Sequence, residues 1–454
     1  MDWTERIGLT AGSVMYFCLL FVFAPPVPVP GDGAELVYGF LTRTTIHPPG
    51  YPLYTALGGA LQFVSPVTAP LTGAALSAVF AVLTMAVFYL FLSRRGIGLV
   101  SRLLSLGVMA TAYPVWELSV KPEVYTLNAF FFMSAVYAWD CVLRSGRGRL
   151  ILWGIVGLSL THHPLALLNG FLAVHATWKT LPSFQFREGL ALMMPVFLYG
   201  TLLMPVSSVP FNWPLIGTPQ VLIDHMLGGT FSRFFLAEGF LTPILQLGRI
   251  GLAHLVVFPV FVALPAIYGY WCLHRDLTPL VVLQLILVIA LSVYGIPDVR
   301  DFLVPSYFVG GIALASGLEA LRSSGFRHTL TAVICVIVSY PVFFYGIGIP
   351  RYDWSHYNFS GTYAAEVDEA VRSGTVLSDW SHYTILRYYQ LTGPYLSGVH
   401  LLTPTHRFDT WAAIIRFHQK QNQPIYTTLT SWNPPDSMER VQKGPLYRVI
   451  PAGQ

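Results

Sequence analysis

The chain has 454 residues, 54% of them hydrophobic and only 11% charged, where a soluble domain carries roughly a quarter charged residues. A net charge of +4, thinly spread, offers no basic patch for nucleic acid, and four scattered cysteines without CxxC or Cys/His spacing argue against a zinc motif or a disulfide framework. Residues 350–454 hold 17 of the 48 Asp, Glu, Lys and Arg, so a long lipid-adapted part precedes one of ordinary soluble composition.

In chain order, apolar runs approaching the roughly 20 residues that cross a hydrocarbon core fall near 8–25, 70–92, 103–118, 124–142, 150–163, 164–178, 189–207, 250–273, 277–296, 302–320 and 329–349. The first lacks a small-x-small cleavage site and ends in Ala24-Pro25-Pro26, so it reads as a retained signal anchor. The pair around 150–178 reads as a hairpin turning at Thr161-His162-His163-Pro164. Tyr51 to Pro66 is a further apolar stretch, short and bracketed by Pro and Gly. If it lies in the interface, 12 Lys and Arg fall inside and five outside before residue 350; if it spans, the densest arginine clusters fall outside. The positive-inside rule selects an interfacial helix, about 11 spans, a cytoplasmic N-terminus and an extracytoplasmic C-terminus.

The external segments are then 26–69, about 118–123, the tip near 162, 208–249, 297–301 and 350–454. In the last, 376–378, 400–402, 425–427 and 447–450 read as strands, and 382–390 and 408–420 as helices, giving a small α/β domain. No repeat or low-complexity segment appears.

The external segments also carry the titratable groups. Asp32 and Glu35 stand three apart in Pro30-Gly31-Asp32-Gly33-Ala34-Glu35 and share one face of a helix. Just above the membrane they suit a general base for an acceptor hydroxyl, or equally a capping-box-like helix start. His47-Pro48-Pro49-Gly50-Tyr51-Pro52 closes the loop and also suits a first helical turn. Lys121, in Lys121-Pro122-Glu123-Val124-Tyr125, reads as a phosphate-binding point charge or a snorkelling lysine. Arg300, in Asp298-Val299-Arg300-Asp301, reads as a bidentate phosphate ligand or a partner of its neighbouring aspartates. His162 and His163 face the same space or cap helix ends. Trp213 and His225 lie in a long aromatic loop as sugar contacts, or, for Trp213, as an interfacial anchor.

These residues resemble the GT-C superfamily of membrane glycosyltransferases. The stretches 31–35, 47–52 and 121–128, continued by Asn212-Trp213, His225 and Asp301 to Ser306, are similar to the branch containing the plexin-type protein O-mannosyltransferase and its bacterial relatives. The resemblance covers most of 25–310 and implies an all-α polytopic GT-C-like domain over 1–349, followed by the extracytoplasmic α/β domain over 350–454. It implies inverting transfer of a sugar, mannose being expected, from a polyprenyl-phosphate donor to an extracytoplasmic protein Ser/Thr hydroxyl or a glycan. Asp32 and Glu35 match the catalytic acidic positions, Lys121 and Arg300 the phosphate-binding ones, and His47, Glu123, Tyr125, His163, Trp213, His225 and Asp301 complete the substrate-binding set. No cofactor is expected and no metal ligands are assigned, a divalent metal staying open. Where the branch often writes Asp-Ser-Gly-Glu, this chain has Gly33 and Ala34, and many bacterial relatives are longer. A transporter or flippase of a lipid-linked sugar is the competing reading, and it requires broken helices and internal repeats.

Overall fold

The structure is a computed structural model and describes residues 3–180, 183–204, 211, 213, 216–236, 239–273, 275–296, 298–325, several positions within 327–338, and 353–403, 424–428 and 438–451. Among the described residues, six helical stretches are long and apolar enough to cross a membrane by themselves: 3–22, 69–94, 125–145, 186–203, 275–292 and 304–323. Two kinked pairs bring the number to eight, 99–111 with 113–120 at 61° and 241–257 with 262–272 at 102°. The chain is thus an integral, multi-pass membrane protein. The described residues do not bear directly on all 11 stretches expected from the sequence. The hairpin helices α8 (Arg149–Leu160) and α9 (Ala166–Thr180) have 12 and 15 residues, short of the length for a full crossing. The stretch at 329–349 lies mostly outside the described residues.

Proline sets several of the breaks. Helix α5 (Leu99–Thr111) gives way at Ala112 to α6 (Tyr113–Val120), whose first turn contains Pro114. Pro114 has no N–H to extend the α5 ladder and its ring clashes with the preceding turn, so the chain restarts as a new helix. That break lets Glu117 and the following Lys121 leave the bundle near the loops of the site. Helices α4 (Ala69–Arg94) and α7 (Tyr125–Ser145) form the centre of the bundle and share one core with α16 (Val304–Ser323). Helix α13 (Val260–Cys272) crosses α16 closely enough that a Cβ on Gly269 would come within 1.7 Å of the Ala313 carbonyl oxygen. Small residues at such crossings let backbones touch where lipid gives no hydrophobic drive to associate.

At the far ends of α4 and α7 the arginine-rich connections are ion-paired. Buried Asp140 accepts from Arg94, Arg95 and Arg144 at 2.9–3.0 Å, and Arg95 reaches on to Asp276 at 2.7 Å. Arg102 pairs with Glu5, and Arg149 with Glu188. The sequence reading saw only charge here; the structure shows helix ends fastened together.

At the other end two short helices lie against the bundle. Helix α2 (Asp32–Thr42) is followed by α3 (Pro52–Val64), whose 13 residues are too few to span. The C-terminal segment contributes a five-stranded sheet in the order β2-β1-β3-β5-β4, with β1 (Gly374–Leu377), β2 (Val399–Leu402), β3 (Ile425–Thr427), β4 (Met438–Lys443) and β5 (Leu446–Pro451). Strand β1 runs parallel to β2 and β3, while β5 is antiparallel to β3 and β4. Helix α17 (Phe359–Ala370) precedes β1, and α18 (Trp380–Thr392) makes the β1-to-β2 crossover. The expected helix at 408–420 lies outside the described residues. Helix α18 also packs on α2, and Ala34, Val37 and Tyr38 share a core with Val376, Ile385 and Leu386. This joint core is what brings sequence-distant side chains to the first loop.

Candidate functional site

Helix α2 begins at Asp32, with Gly31 as its N-cap at φ 84° and no side-chain cap. A positive φ suits glycine, which lacks the Cβ that makes this region costly. At Gly33 a Cβ would stand 2.6 Å from a Val29 methyl and 3.4 Å from the Pro122 carbonyl oxygen. That close approach accounts physically for glycine at the position where the resembling branch often has serine. The capping-box reading of Asp32 and Glu35 is overturned, because both carboxylates are directed elsewhere.

Asp32 Oδ1 accepts the Trp380 indole N–H at 2.9 Å, and its Oδ2 lies 3.5 Å from His47 Nε2. Glu35 is fully buried, accepting from His47 Nδ1 at 2.5 Å and from the His47 backbone N–H at 3.1 Å. His47 Nε2 is also 3.1 Å from the Tyr51 hydroxyl. Burial alone would lower the imidazole pKa; the carboxylates of Asp32, Glu35 and Glu123 outweigh it and push it up to about 9. Burial raises Glu35, opposed by His47. The Asp32, Glu35 and His47 donor atoms lie within 4.8 Å of one another, so these three residues offer one ligand atom each to a divalent cation.

The cations form an adjoining group. Lys121 Nζ lies 3.2 Å from Glu117 Oε1 and 3.6 Å from Glu123 Oε1, with the Trp354 ring centroid 5.9 Å away. Arg300 reaches the other Glu117 oxygen at 2.7 Å and Asp301 at 3.0 Å, and its guanidinium lies 5.2 Å from the Tyr113 ring centroid. Glu117 therefore bridges the two candidate phosphate-binding side chains, one per oxygen. Lys121 is largely buried and paired, which rules out the snorkelling alternative. Arg300 does pair with Asp301, as the plainer reading expected, but Glu117 is its shorter contact.

Electrostatics ties this group to the first. Burial, together with Asp32, Asp301 and Glu117, raises Glu123 to about 8 despite Lys121. Burial, then Asp301 and Asp32, raises Asp298 as well. The Asp298–Asp301 turn and the 121–124 loop thus feel the Asp32 carboxylate. The structure also directs a line of rings to this place. His163 stacks with Tyr51 at 6.0 Å and tilts on Tyr125 at 5.4 Å. His162 donates Nε2–H to the Val124 carbonyl at 2.7 Å, fastening the hairpin tip to the lysine loop. Burial lowers His162 to about 4 and drives His163 well below the usual imidazole range. His225 donates to the Ile46 carbonyl at 2.9 Å, supporting the chain next to His47. Trp213 packs edge-on against both His225 and Trp380, at 6.4 and 6.3 Å. It belongs to this cluster, contrary to its reading as a membrane-interface anchor.

All the sequence-nominated residues therefore gather around 2 adjoining groups, one centred on His47 and one on Glu117. Sequence reasoning missed Trp380 and the bridging role of Glu117. An Asp-Trp pair at a strand-to-helix junction was the one available signal for the former. Val115 and Leu118 of α6 border a small gap of about 10 Å³ together with Met85, Ala129, Val304 and Phe308.

A bundle of broken and whole spanning helices, with an acid-and-base loop at one end and a mixed sheet packed against it, defines a multi-pass membrane protein. The backbone matches the crystal structure of ArnT from Cupriavidus metallidurans in the apo state with a TM-score of 0.56, over 98% of this chain and 97% of that chain at 14% identity. Residues 32–179 match the family model of the protein O-mannosyl-transferase TMEM260 N-terminal domain, a stretch that begins at Asp32 and contains Glu35, His47, Glu117 and Lys121. The family match spans about a third of the chain, and the likeness to the solved structure, at 14% identity, is one of fold.

Proposed function

We propose that the protein transfers a sugar, with mannose the expected one, from a polyprenyl-phosphate donor to a hydroxyl of an extracytoplasmic acceptor, a protein Ser or Thr. The observation that carries this reading is an accessible carboxylate, Asp32, joined to the Lys121–Glu117–Arg300 group through Glu123, which lies 3.6 Å from Lys121 and feels the Asp32 charge. Asp32 accepts the acceptor proton as the hydroxyl oxygen attacks the anomeric carbon. The bond from that carbon to the phosphate oxygen breaks, and its electron pair leaves with the polyprenyl phosphate. Attack opposite the leaving group inverts the anomeric centre. Negative charge grows on the phosphate in the transition state, where fixed cations stabilise it more than the ground state. Lys121 supplies a point charge and Arg300 a planar fork; Glu117 orients both before the donor arrives. His47, bonded to buried Glu35, holds the loop against Asp32.

The arginine distribution supports a cytoplasmic N-terminus, with the site and the 350–454 domain on the opposite side. A divalent cation bound by Asp32, Glu35 and His47 would add positive charge, but the residues already form a bonded set. The test is to incubate purified protein with a panel of polyprenyl-phosphate sugars and Ser/Thr peptides, reading products by mass spectrometry and anomeric configuration by NMR. Inverted transfer from a mannosyl donor is the expected result. Transfer from nucleotide sugars alone, or with retained configuration, would refute it.

A further inference from the structure

We propose that Trp380, supplied by the C-terminal segment, is a positioning residue for Asp32, so that the sheet-bearing segment completes the site. The inference rests on the reading of Asp32 as the base. Asp32 is the most accessible of the acidic groups in direct contact with His47, at 36% side-chain exposure against 0% for Glu35. An exposed carboxylate on the first residue of a helix has rotamer freedom, and a base works only when its lone pair points at the proton it takes. The Trp380 N–H on Oδ1 and His47 on Oδ2 hold the two oxygens from different sides. Each carboxylate oxygen has a second acceptor site, so the hydrogen bond from Trp380 leaves room for the acceptor hydroxyl. An indole N–H is a donor only and neither takes nor releases a proton in the working range. Trp380 can therefore orient the base without competing with it.

The indole is itself held on every side. Asp379 caps α18, accepting from the His382 backbone N–H at 3.2 Å and the His382 ring at 2.6 Å, while Thr428 at the end of β3 donates to it at 3.1 Å. The Trp380 ring stacks on Tyr383 at 6.0 Å and meets Trp213 edge-on. One turn further on, Thr384 Oγ1 accepts the Gly31 backbone N–H at 3.1 Å, fixing the residue before Asp32. Tyr383 and Arg387 both donate to the Phe211 carbonyl at 3.0 and 2.9 Å, tying the 208–249 loop to the same helix. The chain of restraint runs from the sheet through the Asp379 cap to the indole and on to Asp32.

The geometry gives a clean experiment. Trp380→Phe keeps a ring and deletes the donor; Trp380→His keeps a ring N–H where Nε2 overlays the indole nitrogen and deletes the benzo ring. With polyprenyl-phosphate mannose and a Ser/Thr peptide, the Phe variant should lose about tenfold to a hundredfold in kcat, the range that misplacement of a reacting group produces. Its donor KM and its unfolding midpoint should stay near wild type, and His should recover most of kcat. A purely packing role would reverse the order, sparing Phe and damaging His. If the Phe variant does not fold, Trp380→Leu, which has no side-chain donor, takes its place. Wild-type kcat in the Phe or Leu variant, with Asp32→Asn inactive, overturns the inference alone. Full activity in Asp32→Asn removes the reading of Asp32 as base and the inference with it.

Discussion

Replacing His47 by glutamine should remove a pH-dependent stabilisation whose size follows from the site. The imidazole is buried between Asp32 and Glu35, and its pKa rises from 6.5 to about 9. The folded state thus holds the proton more tightly than the unfolded chain. The resulting stability is fully present below pH 6.5 and is lost as pH rises through about 9. At 1.36 kcal/mol per pKa unit the difference amounts to about 3 kcal/mol. Glu123 adds a slope of the same sign, because its folded pKa is also raised, from 4.5 to about 8. The assay is the thermal unfolding midpoint of detergent-purified protein between pH 6 and 9.5, followed by tryptophan fluorescence. Wild type should lose stability across this window. His47→Gln should start lower at pH 6 and show a much shallower decline, the remainder belonging to Glu123. Identical slopes in the two proteins would show that His47 does not carry the extra proton in the folded state, and the electrostatic description of the loop would be wrong.

Other substitutions separate the parts of the site. Lys121→Met should cut kcat/KM for the lipid-linked donor by about tenfold to a hundredfold, the loss of one charge-assisted contact, measured by initial rates at subsaturating donor. Arg300→Lys keeps the charge and loses the fork, so about a tenfold loss is expected on the same plot.

The sequence carried most of this arrangement wherever information is local. Helical runs in 69–94, 125–145 and 304–323 were legible from length and hydropathy, and β1, β2, β3 and β5 from short apolar runs between turn residues. Strand β4 was missed because Met438-Glu439-Arg440-Val441-Gln442-Lys443 is polar, the composition expected of an edge strand that must not pair further. Asp32, His47 and Lys121 were legible because each sits in a short segment dense in turn residues. Their mutual contacts were not, since spacing gives a shared helix face but no bond between loops. Trp380 lies 348 positions from Asp32, a distance at which no periodicity or cap rule operates. Glu117 looked like one charge in a loop; only the break at Ala112 reveals that it can bridge Lys121 and Arg300. Pro114 marked that break, yet proline alone does not give the angle.

The proposal that Asp32 removes the acceptor proton is tested most directly by Asp32→Asn, an isosteric change that keeps an acceptor for Trp380 and abolishes basicity. With polyprenyl-phosphate mannose and a Ser/Thr peptide, transfer should fall by about 10² to 10⁴, the contribution of a positioned general base, while donor binding and the unfolding midpoint are retained. A folded Asp32→Asn protein that transfers mannose at the wild-type rate would contradict the account.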